Sequence, residues 1–156
     1  MKLTMLQIRV IREEDLKHIY LIEERCFGKE AYPRPLLFWL YHLHRDEFFV
    51  AEVKGKVVGY AVGAVMKGRG HIISIAVDPE HQRKGIGTRL LTALMEQLEK
   101  RKVKGFRLEV KVDNEAARRF YEKHGFKQVG FVEGYYRDGT GAVIYEKSSK
   151  PKSSPA

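Results

Sequence analysis

The sequence predicts a mixed α/β sheet with flanking helices, and three observations carry that expectation. Segments of strand and helix character alternate through the second half of the chain, which argues against a bundle or a sandwich. The 156 residues are 44% hydrophobic and 31% charged, a balance that suits one globular domain rather than a disordered, collagenous or coiled-coil chain. No apolar run approaches the ~20 residues needed to cross a bilayer.

Each element follows from its own pattern. Leu6 to Ile11 alternates as a first strand. Arg12 to Phe27 sets Leu16, Ile19, Tyr20 and Ile22-Glu23 at helical spacing, with Asp15 near its start. Pro33-Arg34-Pro35 interrupts the chain, and Leu36 to Arg45 reads as a second helix opening behind a proline. Glu47 to Val53 and Lys56 to Met66 are apolar and β-branched, joined at Lys54-Gly55 as a hairpin. His71 to Val77 is a further strand, halted by Asp78-Pro79. Ile86, Leu90, Leu91, Leu94, Met95 and Leu98 form one helical stripe, with Glu96, Glu99, Lys100 and Arg101 on the other face. Phe106 to Val112 alternates as a strand. Asn114 suits the N-cap of a helix over Glu115 to His124, ended by Gly125. Phe126 to Tyr135 and Ala142 to Lys147 are the closing strands.

The charge balance narrows the partner. Lys and Arg number 29 against 20 Asp and Glu, a net +9, which points to a polyanion: nucleic acid, an acidic membrane surface or a phosphate-bearing molecule. The last ten residues hold three lysines, Lys147, Lys150 and Lys152, and no acid. This Ser/Pro/Lys-rich stretch is expected to be disordered, so a third of the net charge says nothing about a folded surface. The single cysteine, Cys26, cannot form an internal disulfide, and Met1 to Gln7 lacks the pattern of a signal peptide; a cytoplasmic location is expected.

The segment that carries chemistry lies between Val77 and the stripe beginning at Ile86. It reads Asp78-Pro79-Glu80-His81-Gln82-Arg83-Lys84-Gly85-Ile86-Gly87-Thr88. A strand feeding a glycine-rich turn that opens a helix suits phosphate binding. The first helical amides lack internal acceptors and the helix dipole favours an anion there. Gly85 and Gly87 admit close backbone approach, and Arg83, Lys84 and Arg89 add positive charge. The Walker pattern is absent, and Leu90 stands where a dinucleotide fingerprint needs Gly or Ala. A flexible loop before an amphipathic helix is the plainer alternative.

Gln82-Arg83-Lys84-Gly85-Ile86-Gly87 resembles the Gln/Arg-x-x-Gly-x-Gly/Ala signature of the GCN-related N-acetyltransferase (GNAT) superfamily, users of acetyl-coenzyme A. Ser74-Ile75-Ala76-Val77-Asp78-Pro79 is similar to the strand preceding that loop. Leu108-Glu109-Val110, Asn114, Ala117, Phe120-Tyr121 and Gly125-Phe126 are similar to a later motif. Gly134-Tyr135-Tyr136-Arg137-Asp138-Gly139 resembles the closing segment of the protein N-terminal acetyltransferase branch. That branch includes ribosomal-protein alanine acetyltransferases and enzymes acting on nascent chains. The resemblance runs from about Leu6 to Lys147. It implies a mostly antiparallel sheet of about seven strands, splayed at the strands ending near Val77 and Val110. It also implies a single acetyltransferase domain over 1–147, with 148–156 as a basic tail.

What the resemblance implies about individual residues stands beside what the residues themselves say. Glu109 is implied as the base that takes the amine proton; alternation alone makes it a solvated charge on a face shared with Arg107 and Lys111. Tyr121 is implied as the acid that protonates the departing thiolate, whereas its spacing reads as helix core. Ile75, Ala76 and Val77 are implied to offer backbone groups to the pantetheine arm, the Val77 amide facing the thioester oxygen. Gln82, Arg83, Lys84, Gly85, Ile86, Gly87 and Thr88 are implied to hold the pyrophosphate. Asn114 is implied as a cofactor contact as well as an N-cap. Glu30-Ala31-Tyr32 resembles the Glu-Asn-Tyr loop near the incoming amine, although Gly28-Lys29 and Ala31 depart from that pattern. Glu30, Tyr32, Tyr135 and Tyr136 are therefore the implied substrate-binding residues; Tyr135 and Tyr136 equally read as paired aromatics on a strand.

The expected reaction is direct transfer of acetyl from acetyl-coenzyme A to a protein N-terminal α-amine, with a small-molecule amine as the alternative acceptor. Protein or peptide N-termini, and proximity to ribosomes, are the expected partnerships. No specific nucleic acid, membrane or metal is implied, and the expected state is a monomer or weak homodimer. His71, His81 and His124 read as surface or strand-end residues.

Overall fold

The computed structural model describes residues 5–149. It contains β1 (Leu6–Val10), α1 (Leu16–Phe27), α2 (Arg34–His44), β2 (Phe48–Val53), β3 (Lys56–Met66), β4 (Arg69–Val77), α3 (Ile86–Glu99), β5 (Gly105–Lys111), α4 (Glu115–Lys123), β6 (Lys127–Val132) and β7 (Ala142–Ser148). The seven strands join in the order β1-β2-β3-β4-β5-β7-β6, the mostly antiparallel sheet that was expected. The described residues divide into two compact units, one of residues 5–64 and 72–101, the other of residues 65–71 and 102–149.

In the first unit, β1, β2 and β3 pair antiparallel through Leu6↔Val53 and Phe48↔Val62. One apolar cluster gathers Ile19 and Ile22 of α1, Leu37 and Leu40 of α2, Phe48, Val50, Tyr60, Val62 and Ala76. The α3 stripe buries Ile86, Leu90, Leu91, Leu94 and Leu98; each such side chain contributes roughly 1.5–3 kcal/mol on leaving water. Gly59 lets this layer close: a Cβ there would meet the Ala76 carbonyl oxygen at 3.0 Å and Leu90 Cδ1 at 3.2 Å. A glycine inside the Lys56–Met66 strand is the sequence trace of that approach.

In the second unit, β7 lies between β5 and β6, with Leu108 opposite Tyr145 and Glu109 opposite Ile144. The first residues of β4 pair in parallel with β5 at Gly70↔Phe106 and His71↔Arg107, after which β4 runs on to Val77 and β5 to Lys111. Tyr145, fully buried, donates its hydroxyl to Glu122 at 2.7 Å and accepts from Arg118 Nε at 3.1 Å, tying α4 to β7.

Among the boundaries that differ from the sequence reading, three stand out. The first helix begins at Leu16 because Asp15 closes a 3₁₀ turn, accepting the Arg12 N–H at 2.7 Å and pairing with Arg9 at 2.8 Å. The strand expected to reach Tyr135 stops at Val132, since Gly134 turns the chain with φ +63°. Ser148 belongs to β7, one residue into the expected tail, and 150–156 lie outside the described residues. No described helix is long and apolar enough to cross a membrane.

Candidate active site

Two arrangements carry chemistry, one in each unit. In the first unit β4 ends with Ala76 buried in the core and Ile75 and Val77 half-buried. The turn that follows is anchored. Buried Asp78 donates its N–H to the Val58 carbonyl at 2.7 Å, accepts the Glu80 N–H at 3.0 Å and pairs with Arg25 at 2.7 Å. The Val77 carbonyl accepts from Gln82 Nε2 at 2.9 Å and from the Cys26 thiol at 3.2 Å.

The chain then turns left-handed twice, at Arg83 (φ +64°) and Gly85 (φ +80°), before entering α3. Gly85 sits at the N-cap with no side-chain hydrogen bond, and the space a Cβ would take is open within 4 Å. The first amides of a 14-residue helix therefore meet no capping side chain. Gln82, Arg83 and Lys84 are exposed around this opening, Gly87 and Thr88 are half-buried, and Ile86 sends its side chain into the core. The arrangement fits a phosphate group held by backbone amides and flanking cations.

Also in the first unit, Glu30 is exposed in a 3₁₀ turn, Gly28–Glu30, directly after α1. Tyr32 follows half-buried; its N–H donates to Glu23 at 2.8 Å and its hydroxyl to the Ile73 carbonyl at 3.3 Å. Glu23 on α1 is only 2% exposed, and its other oxygen accepts the hydroxyl of fully buried Tyr60. Ser74 lies 3.1 Å from the same hydroxyl. Burial pushes the Glu23 carboxyl up against the pull of these two hydrogen bonds, and burial with the Glu23 charge pushes the Tyr60 hydroxyl far up.

In the second unit the charged face of β5 is half-buried rather than solvated, and each member has a partner. Arg107 reaches Glu146 at 2.8 Å, Glu109 meets His71 Nε2 at 2.8 Å, and Lys111 meets Asp138 at 2.7 Å. His71 sits near the start of β4, as a strand-end reading has it, and its ring nitrogen meets Glu109. Burial, then the Glu109 charge, push the Tyr135 hydroxyl up, with Arg107 pulling the other way. Lys111 Nζ stands 5.9 Å from the Tyr136 ring centroid. The segment carrying both tyrosines is a loop, pinned by the Tyr136 N–H to the Thr140 carbonyl at 3.0 Å.

Tyr121 on α4 is 8% exposed and packs edge-on against Phe120 and Phe126. Asn114 caps α4, accepting the Ala117 N–H at 3.1 Å. Among the described residues no group of three His, Cys, Asp or Glu side chains is placed to hold a metal ion.

The first unit therefore gathers Ile75, Ala76, Val77 and Gln82 through Thr88, with the Glu30–Tyr32 turn; the second gathers Glu109 with His71, Tyr135 and Tyr136, and carries Tyr121 and Asn114 on α4. The profile of the acetyltransferase (GNAT) family matches residues 14–126, reaching into both units. The chain belongs to that family. An N-alpha-acetyltransferase of Sulfurisphaera tokodaii is 39% identical over 153 residues, covering 88% of this chain and 90% of that protein. The ribosomal protein bS18-alanine N-acetyltransferase of Escherichia coli is 35% identical over 130 residues, covering 83% and 86%. Among solved structures, Ard1 from Thermoplasma volcanium matches this GNAT chain with TM-score 0.89 at 30% identity, covering 94% of this chain and 99% of that one.

Sequence reasoning missed Glu23, Tyr60, Gly59 and the partnership of His71 with Glu109. Only the two glycines inside β3 and the acid within the apolar face of α1 gave a trace of them.

Proposed function

We propose that this GNAT chain transfers an acetyl group from acetyl-coenzyme A to the α-amine at protein N-termini, in the cytoplasm. The observation that carries the reading is Glu109, half-buried, hydrogen-bonded to His71 and within the electrostatic reach of Tyr135. The named activities of the relatives from Sulfurisphaera tokodaii and Escherichia coli support the same acceptor.

When bound, acetyl-coenzyme A supplies an activated acetyl thioester. The open N-terminus of α3, with Gly85 left-handed, supports pyrophosphate binding by the segment from Gln82 to Thr88. Ile75, Ala76 and Val77 would supply backbone groups to the pantetheine arm, the Val77 amide would face the thioester oxygen, and Asn114 would add a cofactor contact. An ammonium is no nucleophile, so Glu109 accepts the proton from the incoming amine, directly or through water, while the His71 N–H fixes the orientation of its carboxylate. Tyr121 would hold the proton that the coenzyme A sulfur takes up on leaving. Glu30 and Tyr32 orient the amine, and Tyr135 and Tyr136 line the peptide groove, a pair without obvious use for a small amine. Proximity to ribosomes has its own support: a cleft of about 500 Å³ in the second unit lined by Arg69, Lys104, Lys127 and Lys147. Its one carboxylate, Glu146, is already engaged by Arg69 and Arg107.

A peptide library varied at its first two residues, incubated with acetyl-coenzyme A and read by mass spectrometry, tests the reading. Acetylation of free N-termini, abolished by N-terminal blocking, is expected. Modification of internal lysines alone, or of small amines alone, overturns it.

A further inference from the structure

Glu23 is a carboxyl in an apolar cluster, where a hydrophobic residue of similar volume is often as stable or more so. Its use is visible in what it touches. One oxygen takes the Tyr32 N–H at 2.8 Å, immediately after the turn that presents Glu30, and the other takes the Tyr60 hydroxyl of β3. Tyr32 is held a second time, through its hydroxyl, by the Ile73 carbonyl of β4 at 3.3 Å. One turn further along α1, Cys26 donates to the Val77 carbonyl at 3.2 Å, and its neighbour Arg25 pairs with Asp78 at 2.7 Å. Glu23 and Cys26, three apart, share a helix face. A single face of α1 therefore grips both the Glu30–Tyr32 turn and the end of β4.

We propose that Glu23 is a positioning residue for the acceptor amine, fixing Glu30-Ala31-Tyr32 against the strand that ends at Val77. The assignment rests on the proposed function for its meaning, but the tie itself is independent of it. A turn released by one hydrogen bond no longer holds the incoming amine in place, so the loss is felt at the peptide. Glutamine at this position can repeat the tie. Its oxygen accepts the Tyr32 N–H, its NH₂ donates to the Tyr60 oxygen, and the Tyr60 hydroxyl turns to Ser74. Leucine can do neither.

The test uses the full chain with Glu23→Leu and Glu23→Gln, measuring kcat, both KM values and hydrogen exchange across residues 28–36. For Glu23→Leu, peptide KM rises roughly tenfold with acetyl-coenzyme A KM within about twofold, and residues 28–36 exchange faster while α3 does not. Glu23→Gln recovers most of the peptide KM and the protection. Unchanged peptide KM, or equal rises in both KM values without recovery in Glu23→Gln, overturns the proposal. Should Glu23→Leu fail to fold, Tyr60→Phe removes one of the two supports; a smaller rise confined to the peptide KM upholds the assignment and none overturns it. If the wild-type chain acetylates no N-terminus, the proposed function falls. The exchange arm still decides the tie, since unaltered exchange across 28–36 in Glu23→Leu removes it.

Discussion

His71 of β4 directs Nε2 at Glu109 of β5 across 2.8 Å, and its Nδ1 lies 3.3 Å from Met66 Sδ. The ring's Nε2–H donates to Glu109, and the carboxylate it faces has a defined direction. As the proposed base, Glu109 should matter chiefly in the proton-transfer step. Glu109→Gln is expected to lower kcat on the order of a hundredfold or more while coenzyme A affinity is retained. His71→Asn, which keeps a donor of shorter reach, should lose less. Steady-state kinetics on a peptide, with coenzyme A affinity measured alongside, check this: an unchanged kcat in Glu109→Gln removes Glu109 as the base.

The opening of α3 makes a separate prediction about the cofactor. Saturating coenzyme A at about 100 times Kd should stabilise the chain by about 2.7 kcal/mol through binding to the folded state. Gly85 adopts φ +80°, so Gly85→Ala should destabilise the apo protein by roughly 1–2 kcal/mol even though open space surrounds the new methyl. The coenzyme A-dependent rise in Tm should also shrink, because the backbone proposed to face the phosphates has been strained. Thermal melts with and without ligand separate the two effects.

Most of the architecture was legible because each element is specified locally. The α3 stripe, the Lys54-Gly55 hairpin and the Asn114 cap are contained within a few residues of sequence, and all three recur in the structure. The glycine-rich loop was legible for the same reason. What escaped depends on contacts between residues far apart: Glu23 with Tyr60 is separated by 37 positions and His71 with Glu109 by 38. No periodicity encodes such pairs. Alternation also misjudged the Arg107, Glu109 and Lys111 face, since each charge is covered by a partner from another segment.

Burial raises the Glu23 carboxyl from its ordinary 4.5, and its hydrogen bonds to Tyr60 and Tyr32 only partly offset this. The folded chain therefore holds that proton more tightly than the unfolded chain. The corresponding stability is complete below the unfolded value and is lost as pH rises through the folded value. Glu23→Gln removes this titration. Its stability relative to wild type should therefore improve as pH climbs above 4.5 and then level off, as measured by urea denaturation at a series of pH values. A constant difference between the two proteins across the series would show that the carboxyl titrates alike in both states.

Burial, followed by the charges of Glu23 and Asp78, pushes the Cys26 thiol up to about 11. The thiolate is the reactive form, so at pH 8 its population is roughly a hundredfold below that of an ordinary cysteine. Alkylation of the native protein should be slower than that of the urea-unfolded chain by at least that factor. Asp78→Asn removes one of the two charges and should speed it. Native labelling at the unfolded rate would mean that the Cys26–Val77 contact does not persist in solution.

The basic cleft of the second unit gives the last prediction. Lys104 and Lys127 line it together with Arg69 and Lys147, and the sole carboxylate among its lining residues already engages Arg69 and Arg107. Cations in such surroundings attract phosphate with an affinity that falls steeply as salt displaces counterions. Co-sedimentation with ribosomes should therefore weaken between about 50 and 200 mM salt. Lys104→Glu with Lys127→Glu should weaken it further and reduce the slope of log affinity against log salt, with Tm as the control for folding. The same slope in variant and wild type would assign ribosome association to another surface, whereas a flatter slope assigns it to this cleft.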